Sequence, residues 1–357
     1  MLQRWIAHTV AGLAVATWAI GCTQGTTPEP AQAPVAPRQP AAAPAAPLAA
    51  PEKPAAATVA AAAPAAGAPA QWKRTEIAVL PWGSGPAQAG HVAQGDQNLE
   101  GPMALDVGAD GKVWLLDQVN ARILVLGLGQ PPRSIPASRT AQDLILDGNS
   151  QPWTLDRLVD RQVRRLDPLT GAVTQTLDLA TAGVAEPGLS TALWLHEGAL
   201  WLEMENTRLV PLQAKATAKQ GRPSRDGKWV LSALRVPPDK VAVAGRGVDQ
   251  GDAEAPRLAL QHQFELPLFS IADLDSDAAG RVWLTADLVR FGPDDRPLDR
   301  KRNAIAWTPG GKIAAQVELC APVGAEEQFR TVRITAAGEV FNLCRGPAGV
   351  VVERWAP

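Results

Sequence analysis

The sequence predicts an all-β fold, and three observations support that prediction. Apolar and polar residues alternate over short runs, as in the segments 104–107 and 113–117. Turns that contain Gly, Asn or Asp separate these runs, and helical periodicity is scarce. Related segments recur along the chain, each with a large aromatic residue at the same place after its turn. This pattern is typical of antiparallel strands joined by hairpins.

The N-terminal residues 1–21 read as an export signal. A charged start precedes an apolar stretch that is too short to span a membrane comfortably, and small residues stand directly before Cys22. This arrangement resembles a bacterial lipobox, in which the thiol of Cys22 is acylated and anchors the mature chain. Thr23 after it resembles lipoproteins that are sorted to an outer membrane. The alternative is an ordinary cleaved signal with an incidental cysteine.

Residues 22–70 follow as a segment of almost pure Ala and Pro with few charges. Such a composition cannot bury a core and favours extended, polyproline-like conformations. We therefore expect a disordered tether between the lipidated Cys22 and a folded domain over residues 71–357.

Composition limits the function classes. The formal net charge is -2 and the sequence has no basic stripe, so nothing points to nucleic acid. Beyond Cys22 the chain has two cysteines, Cys320 and Cys344. In an exported protein an even pair favours a disulfide, and the alternative is two separately buried thiols.

The repeated segment decides the architecture. Five copies are recognisable, and a gap of roughly 80 residues between the third and fourth aromatic has room for one more, with strands over 227–236, 239–245 and 256–266. Six units of about 47 residues match four-stranded propeller blades. The last unit stops after its third strand, and the isolated strand 75–80 precedes the first, so we expect these two to pair and close the ring. The aromatic residues that mark the five copies are Trp114, Trp153, Trp201, Trp283 and Phe341.

The best copy, GPMALDVGADGKVWLLDQVNARILVL, resembles an NHL repeat, the unit of a six-bladed propeller family. The matching positions are Gly101, Pro102, Asp106, Gly111, Trp114, Asp117, Asn120, Arg122 and Ile123. The resemblance implies a six-bladed β-propeller over about Thr75 to Trp355, and it implies fold more than function. Propeller enzymes carry their catalytic groups at one channel mouth, on the loops that join second to third strands and one blade to the next.

Two groups of residues are candidates for chemistry. Asp273, Asp275 and Asp277 alternate and could offer oxygens to calcium, although Ala278 and Leu284 stand where a helix-loop-helix calcium loop needs Gly and Glu. The alternative is an Asp-rich hairpin turn, and we predict no metal and no cofactor. The three histidines of the domain are far apart in sequence and form no ligand or acid–base motif.

Two segments, 246–256 and 287–303, are longer and more charged than a hairpin requires, and recognition tends to lie on such loops. The second is the candidate binding loop, and the alternative is a solvated insertion. Its candidate residues are Arg290, Asp294, Asp295 and Arg296.

These observations together predict a lipid-anchored, extracytoplasmic propeller at the outer membrane or cell surface. We expect it to act as a binding or interaction module for a protein or small-molecule ligand at a propeller face. The alternative is a calcium-assisted hydrolase of the lactonase type, with Asp273 as one ligand. A ligand-sensing propeller is a third possibility, but the chain has no transmembrane helix or kinase module to transmit a signal.

Overall fold

The computed structural model describes residues 72–92, 100–213, 217–250, 255–321 and 328–357. The predicted signal sequence, Cys22 and the Ala/Pro-rich segment lie outside the described residues. The described residues form an all-β propeller of six four-stranded sheets, as the repeats predict. None of the described helices is long or apolar enough to cross a membrane.

In chain order the strands are β1 (Lys73–Pro81), β2 (Ala104–Val107), β3 (Val113–Asp117), β4 (Arg122–Leu126), β5 (Arg133–Pro136), β6 (Asp143–Leu146), β7 (Pro152–Asp156), β8 (Gln162–Leu166), β9 (Val173–Asp178), β10 (Ser190–His196), β11 (Ala199–Met204), β12 (Arg208–Pro211), β13 (Lys219–Gln220), β14 (Arg222–Pro223), β15 (Trp229–Val236), β16 (Lys240–Gly247), β17 (Leu258–Gln263), β18 (Leu268–Ser276), β19 (Val282–Phe291), β20 (Pro297–Trp307), β21 (Ile313–Leu319), β22 (Val332–Ile334), β23 (Val340–Gly346) and β24 (Gly349–Ala356). Short 3-10 helices span Gln118–Asn120 and Pro187–Leu189.

Blades 1 to 5 run outward in chain order, from β2–β5 for blade 1 to β18–β21 for blade 5. The innermost strands β2, β6, β10, β14, β18 and β22 therefore line the central channel. The gap between the third and fourth aromatic residues holds blade 4, as expected, and its inner strand is only two residues long. Its other three strands lie in the segments that the alternation indicated.

The ring closes as predicted. In blade 6 the strand order is β1-β24-β23-β22, so the N-terminal strand forms the outer edge of the last blade. The register pairs Leu80 with Val350 and Lys73 with Ala356. Ile77 and Leu80 are buried in a cluster that also contains core residues of blade 1. This closure removes two open strand edges that would otherwise be exposed.

The recurring aromatic residues fill the wedges between blades. Each lies on the second strand of its blade, and none is more than 4% exposed. Asp277 accepts hydrogen bonds from the backbone N–H groups of Ala279 and Arg281 and from Nε1 of Trp283, at 2.8 Å for the last. The Asp-Ala-Ala-Gly turn and the buried indole are thus fixed together. Gly280 in this turn has φ of 75°, a conformation that favours glycine.

Cys320 and Cys344 lie at disulfide distance, with Cα atoms 5.6 Å apart. Cys320 directly follows β21 at the outer edge of blade 5, and Cys344 lies on β23 of blade 6. A bond between them joins blade 5 to the blade that closes the ring.

Candidate functional site

A cluster of buried ion pairs crosses the central channel, and we call it the deep cluster. Its members are Asp143, Glu203, Arg222, Asp273 and Arg330, all 8% exposed or less.

Arg330 joins blades that are not neighbours. It precedes β22 of blade 6, and its guanidinium donates to both carboxylate oxygens of Asp143 on β6, at 3.0 and 2.9 Å. The same guanidinium donates to the carbonyl of Leu193 on β10, in the blade opposite. Asp143 also accepts the backbone N–H of Leu193 at 2.6 Å. These bonds tie blades 2, 3 and 6 together across the axis.

Arg222 holds the other half of the deep cluster. Its Nη2 donates to Glu203 Oε2 at 2.9 Å, and its Nη1 donates to Asp273 Oδ1 at 3.1 Å and to the Leu274 carbonyl at 2.8 Å. Blades 3, 4 and 5 are thereby linked. Burial raises the pKa of Asp273, and the nearby carboxylate of Asp275 raises it further, against the opposing effect of the arginines.

Trp194 lies between the two deep arginines. Its ring is 4.9 Å from the guanidinium carbon of Arg222 and 5.6 Å from that of Arg330, within the range of cation–π attraction. The side chain is 7% exposed overall. Its Nε1 is buried and has no hydrogen-bond acceptor among the described residues.

Above the deep cluster lies a cavity of about 490 Å³, the mouth cavity. It sits where the inner strands of blades 2 to 6 end, at the turns that join first to second strands. This is the opposite mouth from the one expected by analogy with propeller enzymes. Its lining includes Leu146, Trp194, Leu195, His196, Glu197, Ser224, Arg225, Asp275, Ala278, Arg333 and Ala336.

Arg225, Arg333 and Asp275 form the charged part of its wall, and Glu197 adds a negative charge at the rim. Nη2 of Arg225 donates to Asp275 Oδ2 at 2.6 Å, and Nη1 of Arg333 lies 3.5 Å from the same oxygen. Nε of Arg333 also lies 2.7 Å from Oδ1 of Asp106. Arg225 is anchored further by Nε, which donates to the Ser276 carbonyl at 2.7 Å.

His196 and Glu197 form part of the rim. Burial lowers the pKa of His196, and the positive charge of Lys219 lowers it further. The ring therefore favours its neutral form near neutral pH. Glu197 has a largely exposed side chain, 3.7 Å from the imidazole. The other two described histidines lie elsewhere: His91 stacks on Trp82, and His262 contacts Phe264.

The three aspartates weighed as calcium ligands, Asp273, Asp275 and Asp277, are each paired with an arginine. Asp273 is bound by Arg222, Asp275 by Arg225, and Asp277 by Arg281 at 2.5 Å. No group of three metal-ligating side chains is present in the part of the chain that the structure describes. Calcium needs several oxygens that are free to coordinate it, and these carboxylates already serve guanidinium groups. The residues therefore do not fit the metal of a lactonase-type site, and Asp277 acts as the turn residue that the alternative reading predicted.

The segment 287–303 is mostly strand, which corrects the interpretation of it as a long loop. β19 continues to Phe291 and β20 begins at Pro297, so the hairpin turn is short. Arg290 faces Asp299 across the ladder and donates to it at 2.8 Å. Asp294, Asp295 and Arg296 lie in the exposed turn and do not line the mouth cavity. In segment 246–256, residues 251–254 lie outside the described part of the chain.

The sequence reasoning missed the arginines of the channel. A signal was present, because Arg222-Pro-Ser-Arg225 and Arg330-Thr-Val-Arg333 share one spacing at the inner strands of blades 4 and 6. In both, the first arginine enters the deep cluster and the second lines the mouth cavity. Three residues of extended chain separate the two levels, roughly 10 Å.

No protein-family model and no curated protein matches the sequence. The NHL resemblance therefore remains a sequence-based interpretation. Among solved structures, the chain is similar to virginiamycin B lyase from Staphylococcus aureus, with 10% identity, coverage of 80% of this chain and 100% of that chain, and a TM-score of 0.42. It is similar to a luciferin-regenerating enzyme, with 13% identity, 72% and 91% coverage, and a TM-score of 0.44. It is also similar to BamB from Moraxella catarrhalis, with 9% identity, 80% and 98% coverage, and a TM-score of 0.32. Such low identities concern the propeller fold alone.

Proposed function

We propose that this protein is a lipid-anchored, extracytoplasmic binding module that takes a ligand into the mouth cavity. The observation that carries the proposal is the cavity itself. Its volume of about 490 Å³ falls in the range of small-molecule sites, and polar groups converge on a partly apolar wall. Trp194 lines the cavity and packs against the two arginines of the deep cluster, so the buried ion pairs support one wall of the site.

The anchor rests on the sequence. The lipobox-like residues before Cys22 and the Ala/Pro-rich tether after it support acylation and display away from the bilayer, at the outer membrane or cell surface. Labelling of cells with a fatty-acid analogue tests this part. Label on the wild-type chain that disappears in Cys22→Ala supports the anchor, and equal labelling of both contradicts it.

Binding without hydrolysis is favoured by the pairing of the channel carboxylates. Asp273 and Asp275 are each paired with an arginine, so neither carboxylate presents a full set of free oxygens to a metal.

A variant that fills the cavity tests the binding site. Ala336 lines the mouth cavity and is exposed, so Ala336→Trp should occupy the space without disturbing the core. Ala337 lies in the same turn, is also exposed and does not line the cavity, so Ala337→Trp is the matched control. The full-length proteins are incubated with a small-molecule extract of the source cells and measured by native mass spectrometry. We expect a bound mass in wild type and Ala337→Trp that is lost in Ala336→Trp. Identical spectra for all three proteins would contradict a ligand site at this mouth.

A further inference from the structure

In the mouth cavity, the positively charged side chains are more exposed to solvent than the negatively charged ones that pair with them. The side chains of Arg225 and Arg333 are 28% and 16% exposed, whereas those of Asp275 and Asp106 are 1% and 3% exposed. The carboxylates therefore lie behind the guanidinium groups. An entering ligand meets N–H donors first.

Donors in this wall are also left without acceptors. Neither Nη1 of Arg225 nor Nη2 of Arg333 has a hydrogen-bond acceptor among the described residues. The buried Nε1 of Trp194, in the same lining, has none either. The two guanidinium groups are partly exposed, so their open donors can bind an acceptor on a ligand without breaking the ion pairs behind them.

From these two observations we propose that the mouth cavity recognises a carboxylate on its ligand. This inference rests on the proposed function and names the chemistry of the group that the site takes. A guanidinium presents parallel N–H donors that match the two oxygens of a carboxylate. A cationic group offers no acceptor to these guanidinium groups, and an apolar ligand would leave their open donors unpaired.

The acidic residues around the site favour a ligand with one negative charge over a ligand with two. Asp275 and Asp106 compensate the arginines from behind, and Glu197 contributes a further negative charge at the rim. A singly charged carboxylate meets less repulsion here than a phosphate that carries up to two charges. The cavity volume suits a small organic acid or the end of a short peptide.

The indole N–H of Trp194 provides the readout. The full-length chain is labelled with indole-¹⁵N tryptophan, and the resonance of Trp194 is assigned by its loss in Trp194→Phe. Acetyl-Ala-Ala with a free carboxylate, the same dipeptide as its C-terminal amide, and inorganic phosphate are titrated separately. Because Trp194 lines the cavity, we expect the acid to shift its indole resonance in a saturable way, and the amide to bind at least about tenfold more weakly.

Variants of the two arginines test whether the site recognises the negative charge of the carboxylate. Arg225→Gln and Arg333→Gln should each weaken the acid about tenfold or more, and Arg225→Lys should retain part of the affinity. Arg165→Gln is the matched control, because Arg165 pairs with Asp147 over Trp153 and does not line the cavity. The unchanged indole resonances of the other tryptophans verify folding, and if either Gln variant misfolds, Arg225→Lys provides the comparison.

Equal affinity for acid and amide, binding of phosphate in preference to the acid, or an unmoved Trp194 resonance would each overturn the carboxylate assignment. The proposed function is judged separately by the cavity-filled variant. Suppose that Ala336→Trp loses a bound mass while the acid probe leaves the Trp194 resonance unmoved. The proposed binding site is then supported, and only the carboxylate assignment is contradicted.

Discussion

The deep cluster and the mouth cavity both contain arginine–carboxylate pairs, but these pairs have different roles. In the deep cluster, Arg222 and Arg330 are buried and hold carboxylates and carbonyls from three other blades. In the mouth cavity, Arg225 and Arg333 share Asp275 and keep part of each guanidinium exposed. An arginine that is buried against carboxylates and carbonyls of other blades thus acts as a structural link. An arginine with its counter-ion behind it is available to a ligand.

One spacing produces both arrangements. Each Arg-x-x-Arg segment begins in the deep cluster and ends at the mouth, so the propeller uses two blades to build two layers of positive charge.

Removal of β1 should abolish both regions together. Deletion of residues 72–81 takes away the strand that pairs with β24 and buries Leu80, so blade 6 loses its outer edge and the ring opens. We expect loss of the cooperative unfolding transition and of the near-ultraviolet circular dichroism of the tryptophans. Deletion of residues 23–70 is the control and should leave both unchanged. A cooperative transition after removal of β1 would show that the closure is dispensable.

Asp143→Ala should break the deep cluster and destabilise the fold strongly. It leaves Arg330 buried without its ion-pair partner and removes the acceptor of the Leu193 N–H. Loss of one partner of a buried pair costs about 3–5 kcal/mol of unfolding free energy. Asp160→Ala at the exposed pair with Arg164 is the control, with an expected cost of about 0–1 kcal/mol. Urea unfolding measures both, and equal costs would refute the structural role of the deep cluster.

Loss of the disulfide should destabilise the ring while sparing the channel. The cysteines are 24 residues apart, and closure of such a loop stabilises by about 3 kcal/mol in the chain-entropy model. We expect Cys320→Ala combined with Cys344→Ala to lose about that much in urea. The acid-induced shift of Trp194 should persist in this variant under native conditions. Alkylation of the wild type without reduction should leave both thiols unmodified, and modification of either would contradict the bond.

Asp273→Asn should have the smallest effect, and one that depends on pH. Burial raises the pKa of Asp273 above its ordinary value of 3.8. A raised carboxyl pKa contributes stability that is fully present below the ordinary value and is lost as pH rises through the folded value. Asn cannot ionise, so the stability of the variant relative to wild type should increase as pH rises. Urea unfolding across this range measures the trend, and a constant difference would mean that the pKa of Asp273 is not raised.

The sequence was sufficient for the fold because the relevant contacts are local in the chain. Hairpins such as β2–β3 join runs that are neighbours in sequence. Trp114 and Trp153 occupy the same position in the hairpins of two successive blades. Even the closing strand was predictable, since the last unit lacked one. The candidate loop 287–303 was misjudged because charged residues there lie on a strand extension, where Arg290 pairs with Asp299 across the hairpin.

The site was not predictable to the same degree. Arg330 and Asp143 are 187 residues apart, and they meet only because two non-adjacent blades face one axis. The spacing of the three aspartates suggested a possible set of calcium ligands, but two of them pair with arginines from another blade, which their spacing does not reveal. Only the shared Arg-x-x-Arg spacing gave a local signal, and it becomes informative once the inner strands are known.

Anomalous diffraction from crystals soaked in bromide would test the division between the two arginine layers most directly. Bromide reaches guanidinium groups that are open to solvent and is excluded from those that are sealed by carboxylates. We expect a bromide peak beside Arg225 and Arg333 in the mouth cavity, with none beside Arg222 or Arg330. A peak at the deep arginines, or an Arg330 guanidinium detached from Asp143, would contradict it.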